Sequence, residues 1–141
     1  MKYLNLSLSA FALILCTSSA ALHAADLTIQ IEDVKSATGT LMVALYNSPE
    51  TFLKKPLTGV AVKAKQDSNT VVIKDLPAGE YAFAVYHDVN QNAKMDTNVL
   101  GIPTEDYGFS NNALGKMGPP SFVAAKFAVP ESGMTTSLSL R

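Results

Sequence analysis

Tryptophan is absent from the 141 residues, and cysteine occurs once, as Cys16. One thiol cannot close an internal disulfide, and no Cys/His set with zinc-ligand spacing can be drawn. Histidine is nearly as scarce, with only His23 and His87. Neither sign of charge dominates: 11 Lys and Arg face 12 Asp and Glu, for a net charge of −1. Without a basic excess there is no electrostatic footprint for nucleic acid and no polybasic membrane patch. Low-complexity runs and internal repeats are also missing.

The first apolar run is too short and too interrupted to cross a membrane. Lys2 gives a positive start, and the stretch from Leu4 to Cys16 is broken by Asn5, Ser7 and Ser9. Small residues then lead to Leu22-His23-Ala24-Ala25, which reads as a secretory signal peptide cleaved near Ala24. A membrane anchor needs about 20 nearly uninterrupted apolar residues, so no transmembrane segment is expected after cleavage. Leu15 stands before Cys16 where a lipoprotein signal carries a small residue, and lipidation is not expected. Removing residues 1–24 takes away Cys16, His23 and Lys2 but no acid, so the net charge moves from −1 to −2. Residues 25–141, about 117 of them, make one ordinary domain, stabilised by an apolar core rather than by disulfides.

What is present is period two. Leu27, Ile29 and Ile31 alternate with Thr28, Gln30 and Glu32, the pattern of a half-buried strand. Lys35-Ser-Ala-Thr-Gly39 is a turn leading into a second strand over residues 40–46, and the two are expected to form a hairpin. Leu41, Val43 and Leu45 share one face, while Met42, Ala44 and Tyr46 share the other. Ser48 and Pro49 start a single helical turn that Phe52 and Leu53 would pin to the sheet before Pro56. Further strands are expected over residues 60–65, 70–74, 80–87, 122–129 and 134–140. The run Tyr81-Ala-Phe-Ala-Val-Tyr86 is the most apolar and is expected at the centre, its alanines admitting a second layer. About seven short strands and almost no helix predict an all-β fold: one antiparallel β-sandwich with Greek-key wiring.

The chain turns abruptly polar at His87, and the next strand signal comes only at Phe122. A connection this long in a compact domain is functional or disordered. Leu100, Ile102, Tyr107, Phe109, Leu114, Met117 and Phe122 offer apolar groups to pin it down, so order is expected. Within it Asp88, Asn90, Asn92 and Asp96 place short oxygen-bearing side chains at positions 1, 3, 5 and 9 of a calcium-loop template, with the Lys94 carbonyl at 7. Ala93 replaces the glycine of position 6, and Val99 replaces the bidentate glutamate of position 12. With two charged ligands, calcium binding would be weak, in the millimolar range; Glu105 or Asp106 could complete the shell. The competing reading is an Asx-rich turn in which these side chains bond their own backbone. His87, Tyr107, Phe109, Asn111 and Asn112 complete the candidate binding face, although buried anchors and backbone caps explain the last four equally well. A Ser110/His87/Asp106 triad lacks a nucleophile-elbow pattern, and Glu105-Asp106 as a paired-acid site competes with an ordinary solvated surface.

The runs Asp75-Leu-Pro-Ala-Gly-Glu-Tyr-Ala, His87-Asp-Val-Asn-Gln-Asn, Met95-Asp-Thr-Asn, Leu100-Gly-Ile-Pro, Tyr107-Gly-Phe-Ser-Asn-Asn and Pro119-Pro-Ser-Phe resemble an uncharacterised bacterial family of exported proteins, domain of unknown function 2141. The resemblance spans essentially the whole mature chain. It implies an exported single domain similar to transthyretin-like or prealbumin-like sandwiches, with no established activity. Members usually carry glycine where this chain has Ala93. Asp75-Leu-Pro-Ala-Gly-Glu-Tyr is also similar to a turn in carboxypeptidase-regulatory and collagen-adhesin B-type modules.

The leading expectation is a periplasmic or secreted non-enzymatic module that binds an unknown ligand or envelope protein through residues 87–122, with calcium as a weak loop-ordering cofactor. The alternatives are a periplasmic hydrolase using His87, Asp88 and nearby acids, and a purely structural envelope protein.

Overall fold

The computed structural model describes residues 24–141; the signal-peptide reading and Cys16 lie outside the described residues. Strict alternation builds the first sheet. Strand β1 (Ala25–Val34) buries Ala25, Leu27, Ile29, Ile31 and Val34 on one face. It lies between β4 (Asp67–Leu76), which is antiparallel to it, and β8 (Met134–Ser139), which is parallel. In the second sheet β2 (Thr40–Tyr46) lies between β3 (Thr58–Lys63) and β5 (Gly79–Asp88). The far side of β5 is shared: β6 (Tyr107–Phe109) covers residues 84–86, and β7 (Phe127–Val129) covers residues 79–81.

The chain therefore folds as the all-β sandwich read from its sequence, three strands against five. There are eight strands among the described residues, not seven, and the β1–β8 pair is parallel. β4 returns beside β1 after the β2–β3 hairpin has been laid in the opposite sheet, the wrapped order of a Greek key. The most apolar run, in β5, is central, with neighbours on both edges.

The expected β1–β2 hairpin does not form; residues 35–39 cross from one sheet to the other. Two contacts fix the crossover. The His87 Nε2 lies 2.6 Å from the Thr38 carbonyl, and the Ala64 N–H donates to the Gly39 carbonyl at 3.1 Å. Gly39 has φ +85° and lies so close to the Asp88 carbonyl that no side chain fits between them. Residues 122–129 are likewise not one strand. Ser121, following two prolines, caps the short helix α1 (Phe122–Ala125), accepting the Ala124 N–H at 3.3 Å, and β7 begins only at Phe127.

Between the sheets lies the main core, including Leu27, Ile29, Ile31, Leu41, Leu45, Phe83, Val85 and Leu138. A second apolar layer covers the outer face of β5. Here Ala82 and Ala84 leave room for Tyr46, Phe52, Phe109 and Phe122. The Phe52 ring meets Tyr46 and Phe122 edge-on, with centroids 5.2 and 5.7 Å away. Phe52 is delivered by one helical turn, closed by the Phe52 N–H on the Ser48 carbonyl at 3.1 Å.

Candidate functional site

β5 ends at Asp88, and there the polar segment begins. Alternation along β5 sends His87 toward the core and Asp88 to the other side; each is 2% exposed. Asp88 anchors the loop. Its Oδ1 accepts the Asn92 N–H at 3.1 Å and its Oδ2 the Ala93 N–H at 2.8 Å. The Asn90 Oδ1 also accepts the Asn92 N–H, at 3.1 Å, and the Asn92 Oδ1 accepts the Lys94 N–H at 2.9 Å. These are Asx turns, and they hold Gln91 and Ala93 at φ +60° and +59°.

The amide nitrogens of Asn90 and Asn92 both reach Asp96, at 2.6 Å on Oδ2 and 2.9 Å on Oδ1. Glu105 then staples the segment across its ends, accepting the Val89 N–H at 3.2 Å and the Asp96 N–H at 3.0 Å. Asn98 was not singled out in the sequence, yet its Oδ1 accepts the N–H of Leu100 (2.9 Å) and of Ile102 (3.1 Å). Burial, then the charges of Asp88 and Glu105, push the Tyr86 phenol above its ordinary pKa.

The side chains at positions 1, 3, 5 and 9 of the calcium template do turn toward one another, and Glu105 joins them. All carry hard oxygens suited to calcium. Among the described residues no three His, Cys, Asp or Glu side chains gather into a metal-binding group, so the set relies on its asparagines. Both carboxamides would have to turn over to present oxygen beside Asp96. The donor chemistry fits a weakly held cation; the orientation seen is that of a self-satisfied Asx loop.

His87 has its backbone N–H on the Asp106 carbonyl at 2.8 Å and its ring on Thr38, so it ties the loop's return and the intersheet crossover to β5. Asp106 pairs with Lys35 at 2.7 Å. Ser110 is fully buried: its Oγ accepts the Phe83 N–H at 3.0 Å and donates to the Ala125 carbonyl at 2.6 Å. The side chains of Ser110, His87 and Asp106 thus bond to other groups rather than to each other: Ser110 to Phe83 and Ala125, His87 to Thr38, and Asp106 to Lys35. Asn111 donates to the carbonyls of Ala125 and Lys126, at 3.2 and 2.9 Å, and Asn112 accepts the Ser139 N–H at 2.9 Å.

One expectation fails instructively. Phe109 and Phe122 are buried and Tyr107 is half-buried, but Leu100, Ile102, Leu114 and Met117 do not pin the loop; they are exposed. The polar staples hold the segment, so its apolar side chains are free to face solvent. Leu100, Ile102 and Met117 form the rim of a groove of about 480 Å³, floored by Met95, Tyr107 and Phe109. The same three floor residues continue into a second hollow over Tyr46, Leu53, Ala84 and Tyr86. Apolar residues beside glycine and proline, as in Leu100-Gly-Ile-Pro103, were the available signal.

The molecule is thus a two-sheet β-sandwich that carries one polar-stapled loop crown with an apolar groove. It belongs to the bacterial family described as "Uncharacterized protein conserved in bacteria (DUF2141)", which matches residues 29–137. No curated protein and no solved structure matches the chain.

Proposed function

We propose that the protein is an exported, non-enzymatic binding module whose working face is the loop crown, residues 87–122, and whose ligand is apolar where it meets the groove. One observation carries this reading. Of the nine large hydrophobic residues exposed among the described residues, six lie within residues 87–122. Exposed apolar side chains concentrated in one place mark an interaction site, and a concave apolar groove is the usual form of a small-ligand site. His87 supports the non-enzymatic part, because its ring is buried against a backbone carbonyl rather than poised beside an acid or nucleophile. The test is titration of residues 24–141 with the neutral dye N-phenyl-1-naphthylamine. Saturable fluorescence enhancement that Ile102→Glu abolishes is expected; no enhancement, or enhancement indifferent to Ile102→Glu, refutes the groove.

Calcium enters this reading as a weak reinforcement of the crown, held by Asp88, Asn90, Asn92, the Lys94 carbonyl and Asp96, with Glu105 beside them. The ion would add a charge-based clamp to a segment already closed by hydrogen bonds. Calorimetric titration at millimolar calcium, with Asp88→Ala beside it, tests this part. Absence of heat and of any rise in Tm removes the ion and leaves the groove untouched.

A further inference from the structure

We propose that β3 is a docking edge for an extended, acid-flanked segment of a partner protein, which adds to the five-stranded sheet as a further strand. This surface lies outside residues 87–122 and does not depend on the groove. Among the described residues β3 pairs only with β2, in unbroken register from Thr58 opposite Leu45 to Lys63 opposite Thr40. The Ala64 N–H on the Gly39 carbonyl sets the phase of that ladder. Thr58, Val60 and Val62 therefore bond to β2, and Gly59, Ala61 and Lys63 turn their N–H and C=O groups away from it. All three are exposed. The sheet's other side offers no comparable edge: β6 and β7 have three residues each, and Tyr107 exchanges backbone hydrogen bonds with Arg141, both at 3.1 Å. β4, the long edge of the opposite sheet, shifts register toward both ends, one of the usual ways of blunting an edge. β3 has no register shift, no proline and no inward charge.

The charge around this edge selects the occupant. Residues 50–75, which supply β3 and β4 on this flank of the sandwich, hold five lysines against three acids (Glu50, Asp67 and Asp75), a net of +2. The rest of residues 24–141 hold five cations against nine acids, a net of −4. Lys54 and Lys55 precede β3, and Lys63 and Lys65 close it; all four are exposed and make no ion pair among the described residues. Across the sheet, Thr40 separates Lys63 from Asp88, about 10 Å away at two strand spacings. The edge is therefore positive in a domain that is negative elsewhere. Two copies joined through β3 would bring their lysine sets together, whereas acids at both ends of an incoming strand each meet a lysine pair. Edge lysines repel strands of like charge, so they admit an acidic segment and exclude this chain's own β3. Gly59 and Ala61 leave the outer face of the edge low, and beside them Met42, Pro56 and Tyr86 line a hollow of about 390 Å³. Alternate side chains of the added strand lean into it, so the segment is apolar at its centre and acidic at its ends.

The test titrates residues 24–141, which hold both sheets and the whole core, into a fluorescent peptide with an alternating valine–threonine centre between pairs of glutamates. Saturable binding that weakens as salt rises is expected, with the Gly59, Ala61 and Lys63 amides protected from exchange. The same centre between pairs of lysines should not bind. Lys63→Gln with Lys65→Gln should weaken binding about fivefold, the loss of two exposed charge pairs. Ala61→Pro removes the middle outward N–H and should abolish binding; that N–H gives no bond to β2, so Tm should hold. Should this variant melt early, amide protection in the parent and the lysine variant, whose side chains are exposed, still decide. No saturable binding, equal binding of the lysine-ended peptide, or protection at Ile102 and Tyr107 in place of β3 overturns the proposal. A dimer of residues 24–141 that Ala61→Pro dissociates overturns it too, and makes a second copy the occupant of the edge.

Discussion

Asp88→Ala removes the side chain on which the start of the crown hangs. Its two oxygens accept the Asn92 and Ala93 N–H groups, and the residue itself is 2% exposed. Hydrogen bonds to a charged acceptor contribute about 1.5–3 kcal/mol each, so the pair is worth about 3–6 kcal/mol in place. Asn92 and Ala93 lie at the surface, so water recovers about half of that, leaving a loss of about 1.5–3 kcal/mol. For a domain of this size that corresponds to a fall in Tm of about 10 °C. Two assays separate global from local loss. Thermal unfolding reads the first, and amide exchange at Asn92 and Ala93 reads the second, since the loop can open before the sandwich does. Asp88→Asn keeps the shape and one acceptor and should lose about half as much. A variant Asp88→Ala with Tm within about 2 °C of the parent and unchanged exchange at both amides would refute the anchoring role.

Ser110→Ala leaves the buried Phe83 N–H and Ala125 carbonyl without their shared partner; a loss of about 1–3 kcal/mol by denaturant unfolding is expected, and a neutral result contradicts the staple. Gly108→Ala would place a Cβ 2.5 Å from the Leu138 side chain and 3.1 Å from the Ser139 carbonyl, so overpacking should cost about 1–3 kcal/mol in the same assay. Burial raises the pKa of Tyr46, Tyr81 and Tyr86 above the ordinary 10.0, with Asp88 and Glu105 adding to it at Tyr86. The native state then holds its phenol protons more tightly than the unfolded chain. That stability is complete below pH 10 and drains away as pH rises through the raised values, so Tm should fall above pH 10 and Tyr86→Phe should flatten the fall. A Tm flat through that range contradicts the burial of these rings.

Local pattern carried the fold as far as local physics reaches. Alternation in Leu27-Thr-Ile-Gln-Ile31 and in Tyr81-Ala-Phe-Ala-Val-Tyr86 identified β1 and the centrality of β5, because one buried face leaves a period-two trace. Pairing is a long-range property. Nothing in Lys35-Ser-Ala-Thr-Gly39 reveals that it crosses between sheets, a route fixed by His87 and Ala64 from distant strands. The apolar run from Phe122 to Val129 reads as a strand, and the Ser121 cap that starts α1 within it was not recognised in the sequence.

In the crown, the Asp/Asn spacing correctly located an ordered segment. Glu105, read as a spare carboxylate for the calcium shell or as half of a paired-acid site, clamps its two ends. The sequence could not show which apolar loop residues are anchors and which face outward. Phe109 and Phe122 are buried because small alanines on β5 make room for them, whereas Leu100 and Met117 meet no such site.

The most direct measurement is a map of backbone amide shifts for residues 24–141 titrated with the naphthylamine dye. Saturable shifts gathered at Gly101, Ile102, Tyr107, Gly115 and Gly118 are the expected result. Shifts on the opposite sheet along β1 and β4, or none at saturating dye, would contradict a binding face built on the loop crown.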